Sequence, residues 1–270
     1  MGKASDVSDP RIEAGMLLEG KSIVVTGGNT GIGKAIVLAA AAEGANVVVD
    51  YVMHPEYTAE VIAAAERSGG CAVGVDADVS RTVDLRRLIR TAVENFGRLD
   101  VLISNAGVET RASLLETSEA DFDKVLAVNL KGAFFGAQFA AEQFMTQGSG
   151  GLVLTISSTH EDWPMPGNIA YCVSKGGAKM LTRTAGVELG PLGIRFVNIA
   201  PGAVSTPINA VTVMDPEALK RLDEAIPLGR IAQPAEIADL AVFLASDKAG
   251  YVNATTITID GGLSQWSVGL

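Results

Sequence analysis

From residue 22 the chain alternates short runs rich in β-branched residues with longer helical segments. The runs fall at residues 23–25, 47–49, 71–75, 101–103, 152–156, 194–199 and 255–259, and the helical segments at 32–43, 57–68, 82–96, 118–147, 169–189 and 234–245. The runs are apolar throughout instead of alternating with polar residues, which is the pattern of strands covered on both faces. Helices between the strands supply the two covers, and right-handed crossovers keep the strands parallel. The pattern predicts one α/β domain, a doubly wound, seven-stranded parallel sheet with helices on both faces. Ligands are then expected at the carboxyl ends of the strands, near the point where strand order switches.

Outside the alternation lie two terminal segments. Residues 1–18 are polar, carry acids and hold no apolar core of signal-peptide length, so they are expected to form a flexible arm ahead of a domain at 19–262. Residues 263–270 end in apolar positions including Trp266, a tail that either packs at a subunit interface or frays. A length of 270 residues with no linker fits one domain. Few aromatics (5%) beside 30 glycines suit close packing of helices on a parallel sheet. The net charge of -10 excludes nucleic acid and anionic membrane as expected partners, since both require basic clusters. Cys71 and Cys172 stand far apart, which suggests neither a disulfide framework nor a metal site and fits a reducing cytoplasm. The most apolar stretch, residues 35–42, is too short to span a bilayer and sits inside a helical segment.

Candidate chemistry gathers where runs end. After the first run comes a turn with Gly27, Gly28, Gly31 and Gly33 around Asn29, Thr30 and Ile32. Its glycines let the backbone approach a pyrophosphate, which would rest on the free N–H groups of the following helix. The spacing is not the common G-x-G-x-x-G, but the place between a strand and an apolar helix points to a dinucleotide and a Rossmann-like domain. The second run ends in Asp50 and Tyr51. A carboxylate there accepts from ribose hydroxyls and repels a 2′-phosphate, which leans toward NAD, unless Asp50 faces away from the ribose. His54, nearby, is either a partner for a 2′-phosphate or an ordinary loop histidine. Asp78 and Val79 close the third run, Asn105, Ala106 and Gly107 the fourth; helix cap and turn are the plain alternatives for these positions. Tyr171 and Lys175, four apart on one helical segment, share a face, and an ammonium beside a phenol favours the phenolate. Ser158 precedes them, and the proline-punctuated stretch 160–166 between is placed to wall a pocket.

Taken in order, the glycine turn, Asn105-Ala-Gly107, Asn129, Ser158, Tyr171-x-x-x-Lys175 and Pro201-Gly202 resemble the short-chain dehydrogenase/reductase family across residues 19–262. The resemblance implies an NAD(P)-dependent oxidoreductase in which Tyr171 is the acid/base, Ser158 bonds the substrate oxygen, and Lys175 binds the nicotinamide ribose and lowers the Tyr171 pKa. Asn129 would hold a water linking Lys175 to solvent, Asp78 and Val79 would meet the adenine, and Thr206, with Pro201, Gly202 and Val204, the nicotinamide side. Within the family the stretches at 105–109, 157–161 and 201–209 look like the bacterial glucose 1-dehydrogenases, which suggests Glu109, His160 and Asn209 as contacts for a polyhydroxylated substrate. Val52 stands where many of those enzymes carry a basic residue, so dual use of NAD and NADP stays open. Reduction of ketones or 3-oxoacyl thioesters, and non-catalytic dinucleotide sensing, are the alternatives. The resemblance further implies a homotetramer paired through the segments at 122–147 and 170–189, and a mobile lid at about 204–228.

Overall fold

The computed structural model describes residues 15–265. Among the described residues seven strands, β1 Ser22–Val25, β2 Asn46–Tyr51, β3 Cys71–Asp76, β4 Val101–Ser104, β5 Gly151–Ile156, β6 Ile194–Pro201 and β7 Thr255–Ile259, form one sheet. All six pairings are parallel, in the order β3-β2-β1-β4-β5-β6-β7. The expected fold is therefore the observed one. Strand order reverses between β1 and β4, and the crevice opens there.

Successive residues of a strand point to opposite faces. Ile23 and Val25 of β1 thus enter one core with Ile36 of α1 (Gly31–Ala42), Val61 of α2 (Pro55–Arg67) and Ile237 of α9 (Pro234–Ala245), which packs on α1. Val24 enters the other, with Leu85 and Leu88 of α3 (Thr82–Phe96) and Phe139 and Phe144 of α5 (Gly132–Gln147). Burying a side chain of this size contributes roughly 1.5–3 kcal/mol, so the two faces together hold the sheet in place.

Two segments differ from the sequence pattern, residues 118–147 and the start of the domain. The stretch expected as one helix at 118–147 divides into α4 (Glu119–Leu126), a π-helical turn (Ala127–Lys131) and α5. Ser118 starts it, its Oγ accepting from Asp121 N at 3.1 Å. α6 (Ile169–Leu189) follows the expected bounds, whereas the segment expected as a lid contains a 3-10 turn (Pro207–Asn209), α7 (Ala210–Val213) and α8 (Pro216–Ala225). Asp215 caps α8 by accepting from Glu217 N and Ala218 N. Finally, Leu18 is wholly buried and donates from its N–H to Glu43 O at 2.9 Å, while Leu17 N donates to Glu43 Oε2. The domain therefore begins ahead of residue 19; the rest of the expected arm, residues 1–14, and Trp266 in the tail lie outside the described residues. Among the described residues no helix is long and apolar enough to cross a membrane.

Candidate active site

At the carboxyl end of β1 the glycine turn is tied to β4. Thr26 Oγ1 accepts from Asn105 N at 2.9 Å and Ala106 N at 3.0 Å, and Asn105 Nδ2 donates to Thr26 O and Gly27 O. Gly27 and Gly31 take positive φ (59° and 53°), and a Cβ on Gly33 would strike the Gly27 carbonyl and Asn105 Nδ2. No side chain caps the start of α1 after Thr30, so its first N–H groups are free to face an anion, with Ile32 in the same turn. A Cβ on Gly31 would stand 3.5 Å from Thr206, which brings the base of the expected lid against this turn.

Asp50 points inward. It is 1% exposed, its Oδ2 accepts from Gly27 N at 3.1 Å, and its Oδ1 has no partner. Burial pushes its pKa up to about 7, against the Gly27 N–H, which lowers it, and with Asp76, Asp78 and Asp84 raising it further. The side chain thus lies beneath the turn, the alternative that strand alternation left open. Tyr51 is half-buried and Val52 exposed. Asn29 Nδ2 donates to Met53 O at 2.8 Å, and His54, at φ 61°, stacks on Tyr57 with ring centroids 4.8 Å apart. Asp78 Oδ1 accepts from Ser80 N in a local turn, α3 being preceded by Arg81, so Asp78 is not the helix cap. Val79 is buried against Gly132.

Across the crevice Ser158 follows β5, and Tyr171 and Lys175 stand one turn apart on α6, the Lys175 Nζ 5.4 Å from the Tyr171 ring centroid. Lys175 Nζ donates to Ile156 O at 2.9 Å, and Ser158 Oγ accepts from His160 N. The expected lowering of the Tyr171 pKa is not what these surroundings produce. Burial pushes the phenol up to about 12; the Ser158 hydroxyl pulls it down, and the Glu109 carboxylate and Cys172 push it up. Burial also drives Lys175 down to about 8, opposed by Glu161. The physical reason is shared: the cleft wall removes water from both groups, and desolvation penalises each charged form. Asn129, carried by the π-helical turn, accepts from Val108 N at 2.8 Å and donates to Val108 O and Ser174 Oγ. Between it and Lys175 lies a cavity of about 10 Å³, also lined by Thr26 and Thr155 and close to the size of one water. Gly107 passes beside Asn129, where a Cβ would stand 3.5 Å from Oδ1.

The other expected residues fall around this pair. Glu109 is fixed from both sides, Oε2 accepting from Asn168 Nδ2 at 2.8 Å and Oε1 from Arg111 Nε at 2.9 Å. His160 meets the Tyr171 ring edge-on, centroids 6.4 Å apart, with Nδ1 3.1 Å from Trp163 O. Asn209 donates from Nδ2 to Val204 O, and Thr206 Oγ1 to the same carbonyl, so both brace the lid's base. Pro201 ends β6, and Gly202 N donates to Ile259 O. The sequence reading assigned no role to Thr26, Glu161, Asn168 or Ser174. Three of them adjoin an assigned residue in the chain and Asn168 stands three before Tyr171, but a polar side chain that braces a neighbour has no spacing signature.

A model of the enoyl-(acyl carrier protein) reductase family matches residues 27–264. The chain is 40% identical to the 3beta-hydroxysteroid dehydrogenase 1 of Eggerthella lenta, over 92% of this chain and 95% of that one. It is also 40% identical to the glucose 1-dehydrogenase 2 of Bacillus subtilis, over 92% and 96%. Among solved structures, an Agrobacterium tumefaciens protein assigned as a 2-deoxy-d-gluconate 3-dehydrogenase, with NADP bound, superposes with a TM-score of 0.86 at 33% identity, covering 94% of this chain and 100% of that one.

Proposed function

Because the chain belongs to the short-chain dehydrogenase/reductase family and is a dehydrogenase acting on CH–OH groups, we propose that its substrate is a sugar or polyol, an aldose oxidised at its anomeric carbon to a lactone. The observation that carries this reading is the ring of fixed polar groups around Tyr171: Ser158, His160 and the Glu109 carboxylate held by Asn168 and Arg111. A polyhydroxylated ligand needs several converging hydrogen-bond partners, which an acyl chain would leave unsatisfied.

A bound nicotinamide supplies hydride transfer. The glycine turn and the uncapped start of α1 fit its pyrophosphate, since the space a Cβ would take at Gly33 is already filled by backbone. The chain's own groups then handle the proton. Tyr171 accepts it from the alcohol in oxidation and returns it to the oxygen in reduction. Ser158 donates a fixed hydrogen bond where oxyanion charge develops. Lys175 offsets the charge on the phenolate, and the water-sized cavity beside Asn129 gives the proton a way out. Either NAD or NADP serves in this reading. With Asp50 turned under the glycine turn, its support for NAD is withdrawn, and the choice passes to the segment 51–54 at the rim. A homotetramer in the cytoplasm completes the proposal.

A second reading, oxidation of a sterol-like alcohol, draws on the exposed Ile208 and Met214 of the lid segment, which would cover an apolar ring system. Initial rates on aldoses, a 3β-hydroxysteroid and small ketones, with each cofactor and read from reduced-nicotinamide absorbance, separate the two. Higher kcat/KM on the steroid than on every aldose would overturn the sugar reading. Tyr171→Phe is expected to keep nucleotide binding and lose turnover by at least about 100-fold, since acid/base catalysis contributes roughly 10²–10⁴-fold.

A further inference from the structure

The turn that delivers Ser158 also delivers a carboxylate for which the acid/base scheme has no use. Glu161 ends the 3-10 turn Thr159–Glu161, and its side chain is 1% exposed. Its Oε2 accepts from Ser157 Oγ at 2.6 Å and from Asn198 Nδ2 at 3.3 Å, and Asn198 Oδ1 in turn accepts from Thr182 Oγ1 at 2.5 Å. Its Oε1 has no hydrogen bond and stands 3.5 Å from Lys179 Nζ. Tyr171, Lys175 and Lys179 follow one another at four-residue intervals on α6, so they rise in one row along the face turned toward Glu161.

We propose that Glu161 is a positioning residue for the proton transfer, a buried carboxylate that keeps Lys175 charged while Lys175 holds the Tyr171 phenolate. This rests on the assignment of Tyr171 and Lys175 as the reacting pair. The one hydrogen bond that Lys175 Nζ makes goes to the Ile156 carbonyl, a neutral partner that leaves the ammonium's charge uncompensated in a dry setting. Such a charge persists only beside an opposite one. The groups facing this region come from four elements. α6 brings Tyr171, Cys172 and Lys179; the turn after β5 brings His160, edge-on to Tyr171, with Glu161 and Asp162, the last paired with Lys179; the loop after β4 brings Glu109, which acts on Tyr171; and the π-helical turn brings the uncharged Asn129. Of these, Glu161 is the carboxylate buried against the row, 3.5 Å from Lys179, which stands one turn from Lys175, and its charge opposes the burial that lowers the Lys175 pKa.

The sign follows. Lys175 already loses its proton at about pH 8 with Glu161 in place. Removing that carboxylate lets it go at lower pH, and above that point the phenolate has no counter-charge. In alcohol oxidation the alkaline limb of kcat/KM should therefore move downward in Glu161→Gln by about one pH unit, the low end of what one nearby charge does. Glu161→Asp, which keeps the charge, should return the limb toward the parent's. The double variant Glu161→Gln with Lys179→Met removes both members of the buried ion pair and leaves no unpaired lysine behind, so it stays folded where the single variant fails. Measured against Lys179→Met alone, it should show the same downward shift, because the Lys179 charge one turn from Lys175 is absent from both.

A role confined to packing would lower the melting temperature of these variants and leave the limb where it was. A folded Glu161→Gln whose pH profile overlays the parent's, or a double variant whose profile overlays that of Lys179→Met, overturns the proposal. Tyr171→Phe, run alongside, tests the underlying assignment separately: if it retains parental turnover, that assignment fails whatever the Glu161 variants do.

Discussion

Asp50 sits under the glycine turn with one carboxyl oxygen bonded to Gly27 N and the other bonded to nothing. Burial raises its pKa from 3.8 to about 7, so the folded chain keeps a proton there at pH values where the unfolded chain has lost it. For a raised pKa the contribution to stability is complete below the unfolded value and is lost as pH climbs through the folded one. The parent should lose stability from this group between about pH 4 and about pH 7. Asp50→Asn cannot titrate. Its melting temperature should gain on the parent's by roughly 10 °C across that window, about three pKa units at about 1.4 kcal/mol each in a domain that moves about 2–4 °C per kcal/mol. Thermal melts at both ends of the window check this, and an unchanged ratio of NAD to NADP efficiency in the same variant checks that the side chain does not meet the ribose. The sequence showed an acid at the end of a strand in a nucleotide-binding fold. It did not show which way that acid faced, because an orientation flips with one residue of register, and the two faces here are equally apolar. The rise in the Tyr171 pKa is hidden from the sequence for a related reason: spacing reveals the neighbouring ammonium, while the desolvation that raises the phenol depends on walls contributed by distant segments.

At the scale of elements, the β1 turn and the π-helical turn do the positioning, and they differ in how far they can be read from sequence. The turn announces itself, since glycine is the residue that takes the positive φ at 27 and 31 most readily and no side chain fits the backbone contact at 33. The strand-helix alternation was legible for the same sort of reason: apolar runs bounded by polar turns repeat a pattern that burial imposes. The π-helical turn leaves no such mark. The widened turn within Ala127–Lys131 shifts the helical phase by one residue, too little to break a pattern read over the whole of 118–147. Its effect is seen only in the fold, where Asn129 bonds to Val108 and Ser174 between the glycine-turn side and α6. The glycine turn gives the sharper test. Gly33→Ala should fold with the sheet intact yet weaken binding of both dinucleotides by at least about 10-fold, the factor that corresponds to 1.4 kcal/mol, because the turn must open to admit the methyl group. Titration of NAD and NADP by fluorescence against circular dichroism of the same sample separates a local opening from global unfolding.

For the whole molecule, two long helices carry apolar stripes that the single chain leaves uncovered. Val173, Met180 and Val187 recur every seven residues along the outer side of α6, and Phe134 and Met145 lie eleven apart on α5; all five are exposed, Val187 at 72%. Seven and eleven residues are close to whole numbers of helical turns, so each set forms one line. At 21 residues α6 runs about 30 Å, long enough for a two-fold related copy to cover both stripes at once and give the paired dimer from which a tetramer is built. The inner side of this same helix carries Tyr171 and Lys175, so the partner would clamp the catalytic element from behind. Light scattering should therefore find a mass four times the 27.9 kDa chain, and Met180→Glu combined with Val187→Glu should dissociate it by placing facing carboxylates in the contact. Neither substituted residue touches the cleft. If clamping matters, the dissociated variant should lose kcat more than it loses nucleotide affinity, whereas a parent that is monomeric at micromolar concentration, or a dissociated variant with parental kcat, would show that α6 holds its geometry through the sheet alone.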